Sequence, residues 1–187
     1  MKSYQIIKML KELLTENTIV VSSNGNISRE VYHLLPRPQL YLRGSMGLPI
    51  AVGLGLALAQ PEKEVLVITG DGNFLMGLSS MVTLTMYRPK NMKVLVLDNE
   101  SYETTGGQKT GSFCLNYLTF FESLGVKERN SIDTTKETYL ERFLTEFLNN
   151  KELSLLHLKI ETGKIKLENI PCSPEKIKEK VQIKMEE

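Results

Sequence analysis

The residue pattern with the clearest chemical content is Gly70-Asp71-Gly72 followed by Asp98-Asn99, with residues 73–98 between them. Each group follows a short apolar run, EVLVIT over 64–69 and MKVLVL over 92–97, that reads as a buried strand. Asp71 offers a carboxylate oxygen and Asn99 an amide oxygen. A hard divalent ion such as Mg²⁺ takes an octahedron of oxygens and usually shares some with phosphate. The glycines let backbone N–H groups approach a phosphate, and a helix expected to open at Asn73 aims its positive end there. Three further small-residue segments accompany the pair: Ser22-Ser-Asn-Gly-Asn-Ile-Ser28, Arg43-Gly-Ser-Met-Gly47 and Thr105-Gly-Gly-Gln108.

The intervening elements explain how such segments meet. Residues 1–16 show helical periodicity, 18–22 are β-branched, and Ser28 opens a helix that Pro36 ends. Residues 39–42 form a short strand and 48–60 a helix apolar nearly all round. A helix is expected over 73–87, then a polar loop over 99–116, helices near 117–124 and 136–149, and a last strand over 153–160. A Lys-rich tail with a helix at 174–184 closes the chain. Strand–helix alternation predicts an α/β fold: a doubly wound, mostly parallel sheet with helices on both faces. In such folds ligands bind beyond the C-terminal strand ends, where every glycine-rich turn falls. Residues 1–160 are expected to form the domain and 161–187 a tail belonging to it.

The 187 residues carry 23 Lys plus Arg against 22 Asp plus Glu, a net charge of +1. That balance gives no electrostatic case for nucleic acid or an anionic membrane. The two cysteines, Cys114 and Cys172, are far apart and read as free thiols, and no Cys/His zinc spacing occurs. No signal peptide or spanning segment is legible, so the expected location is cytoplasmic. His33, His157 and the arginines Arg29, Arg37 and Arg43 read as packing or solvated groups, with attraction of an anionic substrate as the arginines' alternative role.

The GDG-to-Asn pattern resembles the cofactor motif of thiamine diphosphate (ThDP)-dependent enzymes. The resemblance spans about residues 1–185 and is densest over 41–110. It implies that Asp71, Asn99 and the Ser101 carbonyl hold Mg²⁺. It also implies that Gly70, Gly72 and Asn73 meet the diphosphate, although many relatives have Ser in place of Asn73. The RGSMG turn is similar to that of ThDP-dependent decarboxylases. It implies that the Gly44 carbonyl accepts from the 4′-amino group, that Ser45 belongs to the same turn, and that Met46 wedges the cofactor into its V shape. Gly25 and Ser28 are the candidates on the loop after the first strand. The stretch LDNESYETTGGQKT most resembles sulfopyruvate and phosphonopyruvate decarboxylases, and the chain's size resembles the former's β subunit.

The implied activity is decarboxylation of a small anionic 2-oxo acid, 3-sulfopyruvate to sulfoacetaldehyde and CO₂, a step toward coenzyme M. Phosphonopyruvate decarboxylation, acetolactate-type carboligation and a noncatalytic ThDP-binding regulatory subunit are the alternatives. The Glu that activates the pyrimidine lies in this family on a separate pyrimidine-binding domain. No catalytic residue is therefore assigned to this chain, and neither Glu30 nor Glu103 sits in a qualifying motif. The expected assembly is a hetero-oligomer of at least four chains, pairing a pyrimidine-domain α subunit with self-associated copies of this domain.

Overall fold

A computed structural model describes residues 1–36, 39–134 and 139–186. Six strands form one sheet in the order β2-β1-β3-β4-β6-β5, every neighbouring pair parallel. The strands are β1 Thr18–Ser22, β2 Leu40–Tyr41, β3 Glu64–Gly70, β4 Met92–Asp98, β5 Glu128–Asp133 and β6 Ser154–Lys159. The helices are α1 Ser3–Leu13, α2 Asn26–Leu34, α3 Pro49–Ala59, α4 Asp71–Met76, α5 Leu78–Tyr87, α6 Tyr117–Ser123, α7 Leu140–Asn149 and α8 Pro174–Glu186. Among the described residues no helix is long and apolar enough to cross a membrane.

Period-two alternation sends successive strand residues to opposite faces. Leu66, Ile68, Leu95 and Leu97 join the core shared with α1, α2 and α7. Val65, Val67, Val94 and Val96 join the core under α3 and α4 to α6. Both faces are thus covered, which is why β3 and β4 read as unbroken apolar runs.

The chain steps from β1 out to β2 and returns to the other side of β1 as β3. The two connections diverge there, so a crevice opens beyond the ends of β1 and β3.

The structure departs from the sequence reading in several places. The segment 73–87 is not one helix opening at Asn73: α4 starts at Asp71, and Gly77 separates it from α5. The break follows from contact, since a Cβ at Gly77 would lie 2.2 Å from the Gly47 carbonyl oxygen. The polar segment Glu128–Asp133 is a strand, β5, at the sheet edge. An edge strand with this little burial carries no apolar run to announce it. The 99–116 loop is more ordered than its composition implied, with a bridge between Ser101 and Lys109 and a 3-10 turn over Gly111–Cys114. The helix expected from 136 begins at Leu140 in the described residues; 136–138 and Arg37 lie outside them. Both cysteines are free.

Candidate functional site

The loops after β1, β3 and β4 enclose a cleft of about 160 Å³. Gly25, Met46, Gly70, Asp71, Gly72, Asn73, Asn99 and Ser101 all line it. Gly44 and Ser45 do not; they lie exposed on the rim beside Met46. Ser28 turns away, donating from its hydroxyl to the Gly25 carbonyl at 3.1 Å and so shaping the loop from beneath.

Asp71 and Asp98 are both almost fully buried, yet their surroundings differ. Asp98 accepts from the Ser112 hydroxyl, from His157 Nε2 at 2.9 Å and from the Glu100 N–H at 2.9 Å. Burial opposes its ionisation, but these hydrogen bonds win and hold its pKa below the usual carboxylate value. Because a carboxylate can only accept, Nε2 carries a proton toward Asp98, and Nδ1 shares a hydrogen bond with the Ser131 hydroxyl at 2.7 Å. The Tyr117 hydroxyl donates to Ser112 at 2.8 Å, and its ring stacks on His157 with centroids 3.8 Å apart. Asp98 is therefore a saturated structural anion.

Asp71 accepts a side-chain hydrogen bond from Thr110 alone among the described residues. Burial pushes its pKa up to about 6, and the neighbouring Asp98 adds to the rise while Thr110 opposes it. A buried carboxylate with spare lone pairs and a raised pKa is stabilised by a cation.

Asn99 supplies the second oxygen. Its Nδ2 donates to Glu103 Oε2 at 3.1 Å, which fixes the amide with Oδ1 on the other side. That Oδ1 accepts from the Ser101 N–H at 3.1 Å. The other Glu103 oxygen accepts from the Gly163 N–H of the C-terminal segment. Asn73 uses Oδ1 to hold the Gly47 N–H at 3.1 Å, tying the Met46 turn to α4. Gly72 must be glycine because a Cβ there would meet the Tyr102 ring at 2.3 Å.

The cleft fits a polar ligand by a further observation. Ser23 Oγ and Asn24 Oδ1 are buried in its wall without partners, an unfavourable state that a bound polar group would relieve. The supporting groups Thr110, Ser112, Tyr117, Ser131, His157 and Glu103 were not legible beforehand, since they come from distant segments with no shared spacing.

The family model "Thiamine pyrophosphate enzyme, C-terminal TPP binding domain" matches residues 23–158. The chain belongs to this family. It is 37% identical over 177 residues to sulfopyruvate decarboxylase subunit beta of Methanocaldococcus jannaschii, covering 92% of this chain and 91% of that one. Phosphonopyruvate decarboxylase of Streptomyces viridochromogenes is 36% identical over 163 residues, covering 85% of this chain and 40% of that protein. The fold matches a 2-oxoglutarate:ferredoxin oxidoreductase from Magnetococcus marinus with a TM-score of 0.73 at 16% identity, over 88% of this chain and 63% of that one. The α/β architecture read from strand–helix alternation is thus that of ThDP enzymes.

Proposed function

We propose that this chain is the diphosphate- and Mg²⁺-binding subunit of a ThDP-dependent 2-oxo acid decarboxylase, with 3-sulfopyruvate as substrate and sulfoacetaldehyde and CO₂ as products. The observation that carries the reading is two-sided: the chain and a sulfopyruvate decarboxylase β subunit match over nearly the whole of both. The cleft supports it. Asp71, Asn99 and the Ser101 carbonyl would hold Mg²⁺, and the loops at Gly25 and Gly70–Asn73 would hold the diphosphate. Met46 would set the cofactor's bend, with the Gly44 carbonyl on the rim for the 4′-amino group.

Bound ThDP supplies a carbanionic carbon that adds to the ketone and a cationic ring that accepts the electrons released with CO₂. The chain's own residues anchor and orient it. Thr110 fixes the Asp71 carboxylate, Glu103 sets the Asn99 amide, and the Asp98–His157–Tyr117 network keeps the β4 end rigid beneath them.

The acids present support a partner subunit. Among the described residues the cleft-lining carboxylates are Asp71 and Glu103. The first sits at the metal position and the second is committed to Asn99 and Gly163. In this reading the Glu that activates the pyrimidine would come from a pyrimidine-binding domain outside these residues, supplied by a partner subunit. Met76 beside the Met46 turn, with Val82 and Met86 beyond it, exposes apolar surface that suits such an association. The α subunit would take this place, in a cytoplasmic assembly of the coenzyme M route.

Phosphonopyruvate is the second reading, favoured by the 36% identity to that decarboxylase. The test is CO₂ release from 3-sulfopyruvate and from phosphonopyruvate by this chain coexpressed with a pyrimidine-domain subunit, with ThDP and Mg²⁺. Turnover of sulfopyruvate is expected. A complex that binds ThDP and Mg²⁺ yet releases no CO₂ from either would make the chain a noncatalytic subunit.

A further inference from the structure

Beside the cofactor cleft lies a second pocket. A pocket of about 170 Å³ is lined by Gly25, Ser28, Arg29, Arg43, Asn169 and Ile170. Its walls carry two guanidinium groups and no carboxylate. Arg29 is half-buried on α2, and among the described residues its side chain makes no hydrogen bond or ion pair. Arg43 donates to one neutral acceptor, the Cys172 carbonyl, at 3.1 Å. The acid next in sequence, Glu30, does not neutralise Arg29: it is buried, and the two form no ion pair. A partly desolvated guanidinium that lacks an anion is unusual, because its planar fork is suited to pairing with an oxyanion.

The pocket has one fixed side. Residues 161–173 run without regular secondary structure across α2. Glu161 N–H donates to the Met1 carbonyl at 2.8 Å, His33 Nε2 bonds the Glu168 carbonyl at 3.2 Å, and Ile170 is buried in the core. Asn169 and Ile170 thus form one wall of a pocket that stays open to solvent. At about 30 Å³ per water, a space of this size holds one oxyanion head with its immediate hydration.

Its position relates it to the chemistry. Gly25 lines both this pocket and the cofactor cleft. Arg43 begins the turn whose Met46 lines the cleft. The pocket therefore abuts the cleft between the diphosphate loop and the turn assigned to the pyrimidine, the stretch in which the cofactor's reacting carbon would lie.

We infer that Arg29 and Arg43, walled on one side by Asn169 and Ile170, form the subsite for the distal oxyanion of the substrate, a sulfonate or phosphonate carried one carbon beyond the 2-oxo group. The inference rests on the decarboxylase reading above and adds the residues that choose among 2-oxo acids. Pyruvate leaves the two guanidinium groups unpaired, whereas a three-oxygen head accepts from both.

The test uses the complex of this chain with its pyrimidine-domain partner, loaded with ThDP and Mg²⁺, titrated calorimetrically with 3-sulfopropionate, 3-phosphonopropionate and propionate. One of the two dianions should bind at least roughly tenfold tighter than propionate, and which one identifies the head group. Arg29→Gln is the clean variant, because that side chain holds nothing else in place. It should remove most of the preference while ThDP affinity stays within about twofold, and Arg29→Lys should restore part of it. Arg43→Gln should act in the same direction. A preference that survives in both Gln variants, or a wild-type complex that binds propionate as well as the dianions, would overturn the subsite. Arginine-dependent binding of a dianion by a complex that releases no CO₂ would instead overturn the decarboxylase reading and leave the subsite standing.

Discussion

The two ends of the same sheet are built to different rules. At the N-terminal end of β3 and β4, the buried side chains of Asn91 and Lys93 find their partners inside the protein. Asn91 Nδ2 donates to the carbonyls of Ala57, Gln60 and Lys63 at 2.9 to 3.1 Å. The buried Lys93 reaches Glu64 at 3.5 Å and the Lys90 and Glu152 carbonyls at 3.3 and 3.4 Å. Burial lowers its pKa, and the Glu64 charge works against that shift. At the C-terminal end, Ser22, Ser23, Asn24 and Glu30 keep buried polar atoms without partners. One end maintains the fold; the other leaves hydrogen-bonding capacity unused in a region that must receive a ligand.

That contrast can be broken by paired substitutions. Asp71→Ala should weaken Mg²⁺-dependent ThDP binding by roughly 1,000-fold, about 4 kcal/mol, because it removes the charged metal ligand. Its unfolding midpoint in urea without cofactor should not fall. Asn91→Ala should do the reverse. It removes the side-chain donor to three carbonyls, of which only that of Gln60 keeps a second partner in the Lys63 N–H, and should lower stability by about 3 kcal/mol, with cofactor affinity in the surviving folded protein unchanged. If either variant showed both effects, the two ends would not be separable.

Glu30 sharpens the comparison through pH. Burial raises its pKa from 4.5 to about 7, and the Glu103 charge adds to the rise. A carboxylate raised on folding holds its proton in the native state after the unfolded chain has lost it. Its contribution is therefore most favourable below pH 4.5, declines as pH rises toward 7 and is flat above. The difference amounts to about 3 kcal/mol. Urea unfolding from pH 4 to 8 should show this decline in wild type, and Glu30→Gln should flatten it by that amount. An identical slope in the variant would mean that Glu30 titrates as it does in the unfolded chain.

Smaller effects probe single contacts. Glu103→Gln lets the side-chain amide at position 103 face Asn99 Nδ2 with either its oxygen or its nitrogen. The orientation of the Asn99 oxygen is then less fixed, and Mg²⁺–ThDP affinity should drop about tenfold. Calorimetry reads that change, and faster proteolysis of the segment after Glu161 would report the lost tie to Gly163. Ser23→Ala removes a buried hydroxyl that has no partner, so the cofactor-free protein should gain a few tenths of a kcal/mol in urea unfolding and lose cofactor affinity.

Much of this was legible in the sequence. The unbroken apolar runs of β3 and β4 announced buried parallel strands, and the glycine-rich turns after them placed Asp71 and Asn99 on one edge. What could not be read was set by contacts between distant segments. His157 looked like a strand residue and turned out to hold Asp98. Glu103 belonged to no motif because its role depends on Gly163, far along the chain. The α4–α5 break at Gly77 follows from the approach of Gly47, and β5 is an edge strand with no fully buried side chain to mark it.

The central claim is that this chain is the metal–diphosphate half of a shared ThDP site. The most direct measurement is calorimetric titration of ThDP into the chain together with its pyrimidine-domain partner, with and without Mg²⁺. Saturable binding that requires Mg²⁺ and tightens when the partner is present is the predicted result. No binding with Mg²⁺ to a folded, verified complex would contradict the account.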